Sequence, residues 1–269
     1  MAAGAGMHQV LRKSAFIIDM DGVIYHGNQL LPGVPRFVDW LVSSAKPFLF
    51  LTNSSERSPR ELSQKLARLG VAVAEERFYT SALATAAFLA SQRPRGSAYI
   101  IGEPGLANAL YEAGFAMNDT DPDYVVVGET RSYSFEKIER AIRLVLRGGR
   151  LIGTNPDLTG PVEGGLVPAC GSLCAPIELS TGRKAYYVGK PNPLMMRHAL
   201  KRLGAKREDT VIIGDRMDTD IIAGIESEIE TLLVLSGVTA AADLERFPYR
   251  PHHVLSGIAA LVETLDQSG

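Results

Sequence analysis

Phe16-Ile17-Ile18-Asp19-Met20-Asp21-Gly22 is a hydrophobic stretch that runs straight into two aspartates one residue apart. An apolar run of this length predicts a buried parallel strand. Open α/β sheets carry their chemistry just beyond the carboxyl ends of such strands. Along an extended backbone, alternation puts Asp19 and Asp21 on one face. Two carboxylates converging on a small volume repel each other, so the pair calls for a cation or a reaction. Acidic residues also end strands as simple turn formers, and the remaining strand ends decide between the two readings.

Outward from this strand, apolar runs alternate with helical patterns, the signature of βα units and a parallel sheet. The runs predict strands at 15–20, 47–52, 97–101, 124–128, 150–153, 210–214, 230–235 and 252–255. Helices are expected near 33–45, 58–69, 81–92, 104–113, 134–147, 171–180, 193–203, 217–226, 241–246 and 257–265. Ser58-Pro59 supplies an N-cap and an N1 proline for one helix, which Gly70 closes; Ser134 opens another that stops at Gly148-Gly149. After the helix at 217–226 a glycine would ordinarily make the left-handed turn into the next strand. Glu228 stands there instead, a small local cost in stability.

Three further strand ends or loops carry chemistry-bearing residues. Phe48-Leu49-Phe50-Leu51 ends in Thr52-Asn53-Ser54-Ser55, where a hydroxyl and fresh backbone N–H groups can hold an anion. Val188-Gly189-Lys190-Pro191 fixes a lysine between a glycine and a proline. Val211-Ile212-Ile213-Gly214-Asp215-Arg216-Met217-Asp218-Thr219-Asp220 is another buried strand ending in Gly-Asp, with two more acids in the following turn. Carboxylates at this density on one edge need a divalent cation, and hard oxygen ligands point to Mg²⁺ rather than zinc or copper. Asp218 also suits a plain role as a helix N-terminal acid, a reading that fits Asp215 poorly.

Residues 83–186 lack this carboxylate–lysine chemistry and are flanked by segments that carry it. The pattern predicts a core formed by 8–82 and 187–269, with 83–186 as an inserted α/β domain. Within the insert, the segment from Gly153 to Pro168 is rich in Gly, Pro, Asn and Asp and lacks periodicity, as functional or disordered loops do.

The 269 residues, 46% hydrophobic and 22% charged, suit one large α/β domain or two modest ones. A formal net charge of −2 with dispersed Lys and Arg leaves no electrostatic footprint for a nucleic-acid polymer or an anionic membrane. No apolar run approaches a membrane span. Met1 to His8 is read as small and flexible, without the apolar core of a signal peptide, and Met7 could equally be a start. The two cysteines, Cys170 and Cys174, are too few for a disulfide framework; at a spacing of four on a helix they are expected to pack as small hydrophobes. A reducing cytoplasm fits best, and homo-oligomeric assembly is compatible with all of this.

Taken in order, the Asp-x-Asp-Gly strand end, the Thr52-Asn53 strand end, the isolated Lys190 and Gly-Asp-x-x-x-Thr-Asp resemble the haloacid dehalogenase-like (HAD) superfamily, in its phosphatase branch. The resemblance runs from about Ala15 to the last strand. Phe78-Tyr79-Thr80-Ser81-Ala82, the stretch from Gly128 to Tyr133, Thr154-Asn155-Pro156-Asp157, Pro168-Ala169-Cys170-Gly171 and Tyr187 to Pro191 are similar to the NagD-like subfamily. Glu228 departs from that pattern, where the subfamily usually carries glycine. The resemblance implies a Rossmann-like parallel-sheet core with an inserted α/β cap of the larger (C2) type.

It also implies roles. Asp19 would be the nucleophile that forms an aspartyl-phosphate, and Asp21 would protonate the leaving alkoxide and later deprotonate water. Thr52 and the Asn53 backbone would hold phosphoryl oxygens, while Lys190 would neutralise both phosphate and Asp19. Mg²⁺ would bind Asp19, the main-chain carbonyl of Asp21, and Asp215, with Asp220 acting from outside the metal's own ligands. The cap would close to exclude water and read the leaving group, with the segment from Asn155 to Cys170, then Arg131, Tyr133 and Tyr186, as candidates for that reading. The implied substrate is a small phosphate ester: a nucleoside monophosphate such as UMP, or alternatively a sugar phosphate, glycerol phosphate or phosphoglycolate.

Other classes fit less well. A hydrolytic dehalogenase needs neither Asp21 as an acid nor the Asp215 to Asp220 cluster, and a transport ATPase needs membrane spans. A phosphomutase would show a second phosphate site. A non-catalytic phosphate-binding module should have lost one of Asp19, Asp21, Lys190 or Asp215, and all are present.

Overall fold

A computed structural model describes residues 2–162 and 164–267, which divide into two compact units. One comprises the chain up to Thr52, Ser63–Tyr79 and the residues from Pro193 onward; the other comprises Asn53–Leu62 and Thr80–Asn192.

In the first unit the apolar runs form a six-stranded sheet. Its order is His253–Leu255, Glu230–Val234, Thr210–Gly214, Ala15–Ile18, Phe48–Thr52, Phe78–Thr80. The strand that opens the sequence reading lies near the middle, paired in parallel with Thr210–Gly214 on one side (Ile18 opposite Ile213) and with Phe48–Thr52 on the other (Ile18 opposite Phe50). Every residue of these three strands is buried, as a parallel sheet covered on both faces requires. Phe16 meets Phe37 and Trp40 of the helix Val34–Ser43 edge-on, which fixes that helix against the sheet.

The second unit carries a five-stranded sheet in the order Tyr186–Tyr187, Arg150–Gly153, Tyr124–Val127, Ser97–Ile101, Ala116–Met117, with all pairings parallel. Val125, Val127, Leu151 and Ile177 share its core with Cys170 and Cys174. Both cysteines are free and buried, and the Cys170 thiol donates to the Val127 carbonyl (3.1 Å), so they pack as expected from their spacing.

Four features depart from the sequence reading. The amino terminus is a helix, Ala2–Arg12, rather than a flexible lead; Met7, Val10 and Leu11 recur at helical spacing and are buried, and the helix packs on Ile258–Asp266. The expectation of flexibility also covers Met1, which lies outside the described residues. The segment from Gly153 to Pro168 contains an antiparallel hairpin, Thr159–Val162 with Gly165–Pro168, though Glu163 is not among the described residues. Strands of two or three residues (Tyr25–His26 with Gln29–Leu30, Phe78–Thr80, Ala116–Met117, Tyr186–Tyr187) are too short to show a period of two. The helix at 217–226 opens as a π-helical turn, Met217–Ile221, before Ile222–Glu226.

Glu228 does adopt the left-handed conformation (φ 56°). Its N–H bonds Ile225 O (3.0 Å) and the Ile229 N–H bonds Gly224 O (2.9 Å), a Schellman closure. The helix Pro59–Arg68 closes in the same way at Gly70 (φ 97°). An L-residue in this region is strained, and the exposed ion pair to Arg207 (2.8 Å) offsets little of that strain. Glu228→Gly is therefore expected to stabilise the protein by about 0.5–1 kcal/mol, after the glycine's greater unfolded-state freedom is allowed for. A rise in Tm of about 1–3 °C in a calorimetric scan is the expected readout. A fall would show that the ion pair outweighs the backbone.

Candidate active site

Asp19, Thr52 and Asp215 each sit at the carboxyl end of one of three neighbouring parallel strands, so the sheet delivers them to one edge. The Asp19 N–H continues the ladder to Ile213 O (2.8 Å). Asp19 is 8% exposed, Thr52 5% and Asp215 1%.

The π-helical turn that follows Gly214-Asp215 brings a third carboxylate round. Ligand oxygens of Asp19, Asp215 and Asp220 all lie within 4.8 Å of one another. Asp220 Oδ2 accepts the Arg216 N–H (3.1 Å), and Gly214 is required beneath it because a Cβ there would strike the Asp220 side chain. Asp215 Oδ2 accepts the Val238 N–H (2.6 Å), and its carbonyl accepts the Thr239 N–H (3.1 Å). Gly22 completes this cradle with φ 79°; a Cβ on it would stand 2.5 Å from Asp215 Oδ2. Ser236 Oγ donates to Gly22 O (2.7 Å), joining the turn after the first strand to the loop after Glu230–Val234. The loop from Ser236 to Thr239 was not singled out from sequence, although small residues following a buried strand were a visible signal.

A donor set of three carboxylates with no histidine or cysteine, held in a close-fitting glycine-lined cradle, fits a hard divalent cation. Asp218 is not part of the group. Burial acts to raise its pKa, but two hydrogen bonds from Arg216 (3.0 and 2.8 Å) and that positive charge hold it below the usual carboxylate range.

Asp21 stands outside the carboxylate group and is exposed. The strand ends at Ile18, and Met20 to Tyr25 form a tight turn in which the Gly22 N–H bonds Tyr25 O (2.9 Å) and the Ile24 N–H bonds Met20 O (2.8 Å).

Asn53 and Lys190 are brought together within the second unit, by a contact that strand-end reasoning did not anticipate. Asn53 Oδ1 accepts the Lys190 N–H (2.8 Å) and Asn53 Nδ2 donates to Lys190 O (2.9 Å), so one side-chain amide grips the lysine's backbone from both directions. Lys190 is 2% exposed. Gly189 precedes it where a Cβ would stand 2.6 Å from Thr154 O and 2.7 Å from Asn53 Oδ1. Asn53 Nδ2 also donates to Asp157 Oδ2 (2.9 Å).

Among the proposed readers of the leaving group, the Tyr133 hydroxyl donates to Leu173 O and is committed to the interior of its unit. Tyr186 stacks on Phe88 and is 45% exposed, and Arg131 is exposed. Leu158, just before the hairpin, and Leu166 on it are 65% and 70% exposed.

The family model described as haloacid dehalogenase-like hydrolase matches residues 16–116, and a second, HAD-hydrolase-like, matches 187–261. A dihydroxyacetone phosphatase of Corynebacterium glutamicum is 49% identical over 252 residues, covering 94% of this chain and 92% of that protein. The ribonucleotide monophosphatase NagD of Escherichia coli is 44% identical over 245 residues, covering 91% of this chain and 96% of its own. Its solved structure matches with a TM-score of 0.86 over 92% of this chain and 97% of that one. A 4-nitrophenylphosphatase from Thermotoga maritima, 34% identical, matches with a TM-score of 0.90 over 94% and 97%.

This chain belongs to the haloacid dehalogenase-like hydrolases, with the Rossmann-like parallel-sheet core and inserted α/β cap of its NagD-like branch. Its class within that family is phosphoric monoester hydrolase.

Proposed function

We propose that this protein is an Mg²⁺-dependent phosphomonoesterase that hydrolyses small phosphate esters through a phosphorylated Asp19. The observation that carries the reading is the convergence of Asp19, Asp215 and Asp220 on one strand edge beside Thr52. In this reading the core is 8–82 with 187–269 and the cap is 83–186.

The cation would be held by Asp19, the Asp21 carbonyl and Asp215, with Asp220 beside them; when bound, it neutralises the acidic cluster so that a dianionic ester can approach. Asp19 attacks phosphorus in line as the ester P–O bond breaks, and Asp21 gives its proton to the departing alkoxide. Asp21, now ionised, takes a proton from water as the water attacks the phosphorus of phospho-Asp19, which returns the carboxylate and releases inorganic phosphate. The exposure of Asp21 suits a group that must exchange protons with both leaving group and solvent. Thr52 and the Asn53 N–H hold phosphoryl oxygens, and Lys190 supplies positive charge to the transferred group.

Nucleoside monophosphates such as UMP are the first substrate reading, supported by likeness to NagD. Dihydroxyacetone phosphate is the second, favoured by the 49% identity to the protein named for it. A panel of phosphate esters ranked by kcat/KM through phosphate release tests the proposal; no turnover of any small ester with Mg²⁺ present would overturn it. The absence of a helix long and apolar enough to cross a membrane among the described residues, and the two free thiols, support a cytoplasmic setting.

The hairpin is assigned to leaving-group choice. Replacing residues 159–167 by a short Gly-Ser linker keeps Asp157 on Asn53 and removes exposed Leu166. Binding energy from remote parts of a substrate serves to position its reacting end. kcat/KM should therefore fall most for nucleotides and least for p-nitrophenyl phosphate. An unchanged ranking across the panel would make the hairpin a surface connection only.

A further inference from the structure

We propose that Glu129 is a positioning residue for phosphoryl transfer: it anchors the turn Asn53-Ser54-Ser55 and, through Asn53, the backbone that carries Lys190. This rests on the role given to Lys190 above.

Glu129 follows the strand Tyr124–Val127 and is largely buried. Its Oε2 accepts both the Ser55 N–H (3.0 Å) and the Ser55 hydroxyl (2.5 Å), and its Oε1 accepts from Asn155 Nδ2. Burial pushes the carboxyl above the usual carboxylate range, against the pull of these hydrogen bonds from Ser55 and Asn155. Ser55 and Asn155 are both fully buried. The second proton on Asn155 Nδ2 goes to Asn53 O (2.7 Å), and Asn155 Oδ1 accepts the Asp157 N–H (3.1 Å). The Asn53 side chain then grips Lys190 N–H and C=O, while the Gly189 N–H bonds Thr154 O (2.7 Å). A continuous set of polar contacts thus runs from Glu129 to the peptide of Lys190. Every member belongs to the second unit.

The arrangement is specific for a carboxylate, because both oxygens face donors. An amide at this position would turn one oxygen into an N–H₂ group. Facing Ser55, it would leave the Ser55 N–H without an acceptor. Facing Asn155, it would force that side chain to flip, breaking its bonds to Asn53 O and the Asp157 N–H. Either way the turn at Asn53 shifts, and a charged group displaced by about an ångström loses much of its effect on the transition state.

The test is a double-mutant cycle of Glu129→Gln and Lys190→Ala, read as kcat and KM for p-nitrophenyl phosphate, the Ki of inorganic phosphate, and Tm. In the wild-type background, Glu129→Gln should lower kcat/KM by about tenfold or more; in the Lys190→Ala background the loss should be about threefold or more smaller, what remains being the share carried through the Asn53 N–H. Glu129→Asp should fall between Glu129→Gln and wild type. If Glu129→Gln does not fold, Ser55→Ala, which removes one donor and leaves the carboxylate, takes its place in the cycle. Equal fold-losses in both backgrounds would overturn the proposal, because a merely structural residue acts without regard to Lys190. Wild-type activity in Lys190→Ala alone would instead overturn the role assigned to Lys190, and with it any need to position that residue.

Discussion

Asp19→Asn is expected to leave a folded protein whose turnover of p-nitrophenyl phosphate falls by more than about a hundredfold, the lower bound for removing a direct participant in the chemistry. The change is nearly isosteric, and the backbone bond from Asp19 N to Ile213 O does not involve the side chain. It also removes one of three carboxylates that lie within 4.8 Å of one another. Without added cation, Tm should therefore stay level or rise as repulsion is relieved. Lost turnover together with an undiminished Tm separates a chemical role from a structural one. Turnover within a few-fold of wild type would show that the covalent route through Asp19 is wrong.

Chelation should have an effect of similar size. Excess EDTA is expected to reduce hydrolysis by more than about a hundredfold and added Mg²⁺ to restore it, because a dianionic ester cannot approach three unneutralised carboxylates. Binding to the native state alone also raises stability, so Mg²⁺ should increase the wild-type Tm at concentrations that restore activity. In Asp215→Asn both responses should move together to higher Mg²⁺, since Asp215 is held in its cradle by Val238 and the adjoining glycines. Full activity in metal-free buffer would dismiss a metal role for the cluster. Activation by Mg²⁺ without any change in Tm would place the cation on the substrate rather than on the protein.

Much of the strand edge could be read from the sequence, because the residues concerned are local to strand ends. A buried run followed by Asp19, Thr52 or Asp215 is visible in a window of seven residues. Parallel pairing then carries the three to the same edge without further information. What escaped depends on geometry beyond such a window. Asp220 was expected near this edge, but the π-helical winding of Met217–Ile221 that precedes its approach to Asp19 and Asp215 is not revealed by periodicity. The grip of Asn53 on Lys190 spans 137 residues, and Glu129 reaches Ser55 across 74. The hairpin at 159–168 was hidden by its glycines and prolines, which obscure a period of two. Glu228 was legible in the opposite way, since a missing glycine marked the position where the backbone does turn left-handed.

The way the chain weaves between its two units limits how they can be exchanged between relatives. The backbone passes from one to the other after residues 52, 62, 79 and 192. A graft cut at 83 and 186 would carry in Glu129, Asn155 and Asp157 but leave their partners Asn53 and Ser55 with the recipient. Such a chimera would depend on the two parents having kept matching side chains on either side of the cut. A transplant that respects the molecule takes Asn53–Leu62 together with Thr80–Asn192. This unit is then inherited as two pieces of chain, and recombination at the obvious sequence boundaries would separate Glu129 and Asn155 from the Asn53–Ser55 turn that grips Lys190.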